Sequence, residues 1–176
     1  MLERQVTLRD GEKVLFRPLK PEDAQLYPDF LAEVTQDDLR LRFFAAMREV
    51  SHALIEQLIH YDPAHAMAFI AIEEKSGRML GVVRLHDQPN GEHAEFAIIV
   101  RSRLKGHGLG WQMMKHIIAY AKDKGLKTVE GQVLAENSTM LQMCQELGFH
   151  IADDATERGV KHVTLPLDEV PPEATH

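Results

Sequence analysis

The chain has 176 residues, a formal net charge of −7 and 44% hydrophobic residues. That length suits one domain with its own core, and the apolar content excludes wholesale disorder. A single cysteine, Cys144, excludes a disulfide framework or a Cys-rich zinc site, and the acidic balance argues against non-specific binding to nucleic acid. The longest apolar run, Ala66–Ile72, has seven residues, far short of the ~20 that span a bilayer. Met1-Leu2-Glu3-Arg4-Gln5 offers no apolar signal-peptide core, so a cytoplasmic protein without a membrane partner is expected.

In chain order, Val6-Thr7-Leu8 and Val14-Leu15-Phe16-Arg17 flank Asp10-Gly11 and predict a short hairpin closed by Pro18 and Pro21. A helix is expected over 22–34, broken or kinked at Pro28. Ser51 suits the N-cap of the next helix, whose Leu54, Ile55, Leu58 and Ile59 recur at helical spacing. Apolar runs at 67–72, 79–85 and 92–100 are separated by Lys75-Ser76-Gly77 and Pro89-Asn90-Gly91. Connections this short join antiparallel neighbours, so the three runs form a meander.

A long amphipathic helix follows over about 108–124, with Met113, Met114, Ile117 and Ala121 on one face and Gly125 as its stop. The strand at 128–134 lies far enough from the third meander strand to pair with it in parallel. Asn137 or Ser138 caps a helix ending at Gly148, and strands at 149–152 and 160–165 complete the chain. The expectation is an α+β (mixed α/β) fold, with a sheet antiparallel early, a central parallel pair and helices on both faces. A single domain is expected over 1–167, with 168–176 as a flexible tail.

The segment Arg101-Ser102-Arg103-Leu104-Lys105-Gly106-His107-Gly108-Leu109-Gly110 leaves a strand and opens the long helix. Alternating glycines let several N–H groups face one spot, and a helix N-terminus adds about half a positive charge. This is chemistry for a phosphate or pyrophosphate, with Arg101, Arg103 and Lys105 as mobile positive charge around it. No Walker lysine is present. The last glycine falls one place early for a dinucleotide fingerprint, although Glu130 loosely imitates its ribose-binding acid.

Arg103-x-x-Gly106-x-Gly108, followed by Asn137 and Leu147-Gly148-Phe149, resembles the acetyl-CoA motifs of the GNAT N-acetyltransferase superfamily. Val6–Gly11, Arg17-Pro18, Pro21-Glu22-Asp23 and Leu41-Arg42-Phe43-Phe44 are similar to the acetyltransferase domain of bacterial protein-lysine acetyltransferases. The resemblance implies acetyl-CoA as co-substrate, a protein lysine as acceptor, and AMP-forming acyl-CoA synthetases as target proteins. It assigns the cofactor contacts to Ile98, Ile99, Val100, Arg103, Leu104, Lys105, Gly106, His107, Gly108, Leu109, Gly110 and Asn137. It also implies that the strand over 92–100 parts from the parallel one, admitting the pantetheine arm, and supplies an oxyanion donor near Ile98–Val100.

A lysine amine has a pKa near ~10.4, so its transfer chemistry needs a base. Glu95, eight residues before Arg103, is the candidate, and the resemblance places the catalytic glutamate there. Its alternation with Ala94 and Phe96 also fits a merely solvated strand face. Cys144 stands where many members of the superfamily have a tyrosine general acid. A lone helix cysteine reads as packing, with a nucleophilic acetyl-enzyme role as the weaker alternative. None of the ten histidines forms a metal-binding frame, so no metal is expected. A small-molecule amine acetyltransferase on the same fold and a non-catalytic acyl-CoA sensor are the two alternatives.

Overall fold

The computed structural model describes residues 2–44 and 50–170. β1 (Arg4–Thr7) and β2 (Lys13–Pro18) form the expected antiparallel hairpin, with Val6 opposite Val14. Gly11 turns the chain at φ +88°, and Asp10 Oδ1 accepts from the Glu12 N–H at 2.9 Å.

The expected helix over 22–34 is instead a 3-10 turn, Pro21–Leu26, running into a short α1 (Tyr27–Leu31). The reason is Pro28. It lacks the N–H that an uninterrupted helix would use, so it is tolerated only in a first turn and here occupies one. α2 (Gln36–Phe43) was not anticipated, because Leu39 is its only buried residue and no apolar stripe announces it. It is set by its ends: Thr35 Oγ1 accepts from the Asp38 N–H at 3.1 Å, and Phe44 closes it at φ +60°. α3 (His52–Ile59) begins as expected, with Ser51 Oγ accepting from the Leu54 N–H at 3.1 Å.

The meander consists of β3 (Ala66–Glu73), β4 (Met79–Asp87) and β5 (His93–Val100). α4 (Leu109–Lys124) follows, and Met113, Met114, Ile117 and Ala121 are all buried. β6 (Thr128–Leu134), α5 (Ser138–Leu147), β7 (His150–Asp153) and β8 (Val160–Pro166) complete the described chain. Pro171–His176 lies outside the described residues. The hydrogen-bonded strand order is β1-β2-β3-β4-β5-β6-β8-β7, and β5 pairs with β6 in parallel, as expected. None of the described helices is long and apolar enough to cross a membrane.

The chain divides into two units, Met1–Arg84 with Ala97–Met114, and Leu85–Phe96 with Lys115–His176. In the first, Leu19, Tyr27, Phe30, Ile55, Ile70, Met79 and Val82 belong to one buried cluster. In the second, Val129, Val133, Cys144, Phe149, Val163 and Leu165 are buried. There β6 pairs antiparallel with β8 over seven positions, and the Phe96 and Phe149 rings lie 5.4 Å apart.

Candidate active site

In the first unit, the end of β5 passes through a 3-10 turn, Ser102–Leu104, into the start of α4. Gly106 and Gly108 adopt φ +83° and +91°, left-handed backbone in which an L side chain is strained. The Gly108 carbonyl accepts from the Gln112 N–H at 3.1 Å, which makes Gly108 the N-cap of α4. A Ser, Thr or Asp in that place would satisfy the first-turn N–H groups with its own side chain; glycine leaves them to an outside acceptor. A Cβ on Gly106 would meet nothing within 4 Å. Left-handed glycines, open space and a helix start fit a diphosphate, so Gly106, Gly108 and the first turn of α4 suit that part of acetyl-CoA.

Leu104 and Leu109 are buried at 5% and 0% exposure. They pin the loop to the core, and the Leu104 main chain is itself engaged, its N–H donating to the Arg101 carbonyl at 2.9 Å and its carbonyl accepting from the His107 N–H at 3.2 Å. His107 is exposed, and Ile98, Ile99 and Val100 are half-buried.

The basic residues differ from the sequence expectation. Arg101 is not mobile charge: it is fully buried, with Nε donating to the Met79 carbonyl at 2.7 Å and Nη2 to Asp29 Oδ2 at 2.7 Å. Nη1 lies 3.2 Å from Glu33 Oε1. A buried guanidinium needs such partners, and Asp29 and Glu33 supply them from the α1 region. Arg103 and Lys105 are more exposed but also engaged. Arg103 Nε donates to Glu33 Oε1 at 2.9 Å, and Lys105 Nζ to Asp38 Oδ1 at 2.7 Å.

Ser102 adds two further ties, accepting from the Thr35 N–H at 2.9 Å and donating to Asp38 Oδ2 at 2.5 Å. Arg78 beside Asp29, with Arg101, holds that carboxyl at about 2; Arg103 and Arg78 do the same for Glu33. Sequence reasoning also passed over Arg9 in the β1–β2 hairpin, whose Nε lies 3.7 Å from where a Cβ on Gly108 would sit. The signal was the hairpin turn itself, which carries that arginine.

In the second unit, Glu95 is exposed on β5 between buried Ala94 and Phe96. It stands opposite Glu130 in the parallel ladder, which takes in His93↔Thr128, Ala94↔Val129 and Glu95↔Glu130. His162 Nε2 lies 3.5 Å from Glu130 Oε2, and His93 Nδ1 4.0 Å from it. Asn137 caps α5, its Oδ1 accepting from the Met140 N–H at 3.3 Å. Cys144 is buried, and desolvation pushes its thiol up to about 12. A proton held that firmly makes it neither a ready acid nor a nucleophile. Among the described residues, no group of three or more His, Cys, Asp or Glu is placed to hold a metal ion.

The model of the acetyltransferase (GNAT) domain family matches residues 13–150. The chain belongs to the GNAT acetyltransferases. Like the family, it is an acetyl-CoA-dependent N-acetyltransferase that acts on amines. The acetyltransferase is 31% identical over 156 residues to Acetyltransferase PA5475 of Pseudomonas aeruginosa, covering 86% of this chain and 84% of that one. Its fold is that of the GNAT domain of S. lividans PAT, at TM-score 0.86 and 24% identity, over 93% and 96% of the two chains. It is also similar in fold to the spermidine N-acetyltransferase of Vibrio cholerae, solved with CoA and spermine, at TM-score 0.71 and 18% identity, over 89% and 96%.

Proposed function

We propose that this acetyltransferase modifies the side-chain amine of a protein lysine by direct transfer, with Glu95 as general base. Proteins of the AMP-forming acyl-CoA synthetase class are the proposed targets, on the resemblance of its hairpin, Arg17-Pro18 and Leu41–Phe44 motifs to the lysine enzymes. The observation that carries the catalytic assignment is the exposed carboxylate of Glu95 on the strand that runs on into the glycine loop.

Acetyl-CoA supplies an activated acetyl thioester when bound. The loop over 103–110 holds its pyrophosphate, with Gly106, Gly108 and the first N–H groups of α4 as donors. Ile98–Val100 offer main chain to the pantetheine arm and an N–H to the developing oxyanion. This role is supported by the reach of β5, which continues five residues past the Glu95↔Glu130 pair. Asn137 orders the start of α5 and contributes a cofactor contact. Glu95 takes a proton from the lysine ammonium, directly or through a water, because a lysine with a pKa near ~10.4 is almost wholly charged at neutral pH. No acid is required opposite it, since a thiol leaving group has a pKa of about 8.5 and departs as thiolate. Buried Cys144 is consistent with that economy.

The test is to incubate the protein with acetyl-CoA and a panel of synthetases, lysine peptides, polyamines and aminoglycosides, following thiol release and product mass. Acetyl on a protein lysine supports the reading. Turnover confined to polyamines or aminoglycosides replaces it with a small-molecule amine acetyltransferase, and CoA binding without turnover replaces it with a sensor.

A further inference from the structure

A diphosphate ester carries more negative charge than the about half a positive charge at a helix N-terminus can offset. The glycine loop therefore needs a cation, and its own basic residues are committed elsewhere. Arg101 is fully buried against Asp29 and Glu33, Arg103 Nε donates to Glu33 Oε1 at 2.9 Å, and Lys105 Nζ donates to Asp38 Oδ1 at 2.7 Å. Turning any of these to a phosphate strips a carboxylate of a partner, which offsets much of the gain.

Arg9 is placed differently. It lies at the tip of the β1–β2 hairpin, in a turn whose shape is fixed by its own main chain. The Leu8 N–H donates to the Glu12 carbonyl at 2.8 Å and the Gly11 N–H to the Leu8 carbonyl at 2.9 Å, while the Leu8 side chain is buried. Arg9 itself is exposed. Among the described residues no acid pairs with it, in contrast to Arg101, Arg103 and Lys105.

The turn brings that arginine to the start of α4. Arg9 Nε lies 3.7 Å from the position of a Cβ on Gly108, and apart from the chain neighbours of Gly108 no other described residue comes within 4 Å of that point. Gly108 is the left-handed N-cap of α4, at φ +91°. An anion accepting from the first N–H groups of α4 is thus within side-chain reach of Arg9. A guanidinium edge, one Nε–H and one Nη–H, matches two oxygens of a phosphate.

We propose that Arg9 is a cofactor-binding residue, its guanidinium gripping the diphosphate of acetyl-CoA that the glycine loop cradles. This extension rests on the acetyl-CoA reading of that loop. It gives the Leu8–Glu12 turn a task besides reversing the chain, since it presents one arginine to a loop about a hundred residues later.

CoA is titrated calorimetrically against the wild-type chain, Arg9→Gln and Arg9→Lys. Arg9→Gln weakens binding about tenfold or more, as for one lost charge-assisted hydrogen bond. Arg9→Lys, which keeps the charge without the fork, binds between the two. Wild-type affinity also falls more steeply with added salt than that of Arg9→Gln. Because Arg9 is exposed, thermal melts of the unliganded proteins coincide, which separates a lost contact from a lost fold. In steady state the loss appears in KM for acetyl-CoA rather than in kcat.

Dephospho-CoA, which keeps the diphosphate and lacks the 3′-phosphate, locates the contact. Equal weakening of CoA and dephospho-CoA by Arg9→Gln supports the proposal. Weakening confined to CoA moves Arg9 to the 3′-phosphate and overturns it, as does equal affinity of wild type and Arg9→Gln for CoA. Failure of the wild-type chain to bind CoA at all overturns the reading of the glycine loop itself, a result distinct from equal binding by wild type and variant.

Discussion

Glu95 on β5 and Glu130 on β6 are paired positions of a parallel ladder, so two carboxylates stand side by side on one exposed face. Adjacent strands are about 4.8 Å apart, so one cation can be attracted by both side chains. A substrate ammonium is such a cation. His162 Nε2 and His93 Nδ1 lie 3.5 Å and 4.0 Å from Glu130 Oε2, from the neighbouring and the partner strand.

In the proposed reaction the two carboxylates divide the work. Glu95→Gln removes the proposed base and is expected to lower kcat by about 10²–10⁴-fold, with acetyl-CoA affinity nearly unchanged. Glu130→Gln removes only attraction for the ammonium, raising KM for the amine several-fold with a smaller effect on kcat. Steady-state kinetics at saturating acetyl-CoA, with calorimetry for CoA binding, check both. A Glu95→Gln enzyme retaining most of its turnover at saturating amine removes Glu95 from the mechanism.

Acid sensitivity follows from the network around Arg101. Asp29 and Glu33 titrate at about 2 in the folded chain, below an unfolded carboxylate near ~4. Their contribution to stability is complete above the unfolded value and is lost as pH falls through the folded one. The melting temperature should therefore fall between about pH 4.5 and 2, and less so in high salt, because side chains 54% and 36% exposed are screened. Arg101→Met should flatten that dependence and lower stability at neutral pH, since it also orphans the Met79 and Asp29 carbonyls at about 1–3 kcal/mol each. Thermal melts of both proteins across pH decide it; parallel curves would separate Arg101 from the acid response.

Two glycines separate conformational from steric demand. Gly106 has open space but φ +83°, so Gly106→Ala costs about 1–2 kcal/mol of backbone strain and should weaken acetyl-CoA binding by reshaping the loop. At Gly131 a Cβ would sit 2.4 Å from the Phe96 ring, which is itself packed near Phe149. Gly131→Ala should therefore cost about 1–3 kcal/mol by overpacking, and Phe96→Leu in the same chain should recover part of it. Denaturant melts of the single and double variants, read as a cycle, test the contact. Additive losses would show that the ring moves aside freely.

The strands and the long helices were legible because their patterns are local: Asp10-Gly11 turned a hairpin, Gly125 and Gly148 ended helices, and Asn137 began one. α2 was invisible because it is held by polar ties rather than an apolar stripe, Thr35 at its cap and Asp38 to Ser102 and Lys105. The glycine loop was likewise readable from spacing alone as a tight turn opening a helix. The fate of its cations was not: Arg101 reads as loop charge in sequence, yet its partners Asp29 and Glu33 are about seventy residues away. Glu130 was noticed only as a loose imitation of a ribose-binding acid, since only the register of β5 and β6 sets it beside Glu95.

Cys144 provides the last test, because its place in the sequence invites a role that its surroundings deny. It is fully buried on α5, and desolvation raises its thiol to about 12. At pH 7.5 such a group is thiolate in fewer than about one molecule in ten thousand, too few for a nucleophile that must compete with direct attack by the amine. The native protein should therefore resist an aromatic disulfide reagent that reacts at once after denaturation. Cys144→Ala should keep kcat within about twofold while losing about 1 kcal/mol or more to the vacated volume. Rapid native labelling, or an acetyl group on Cys144 in mass spectra of protein quenched during turnover, would instead place the thiol on the reaction path and make transfer two-step.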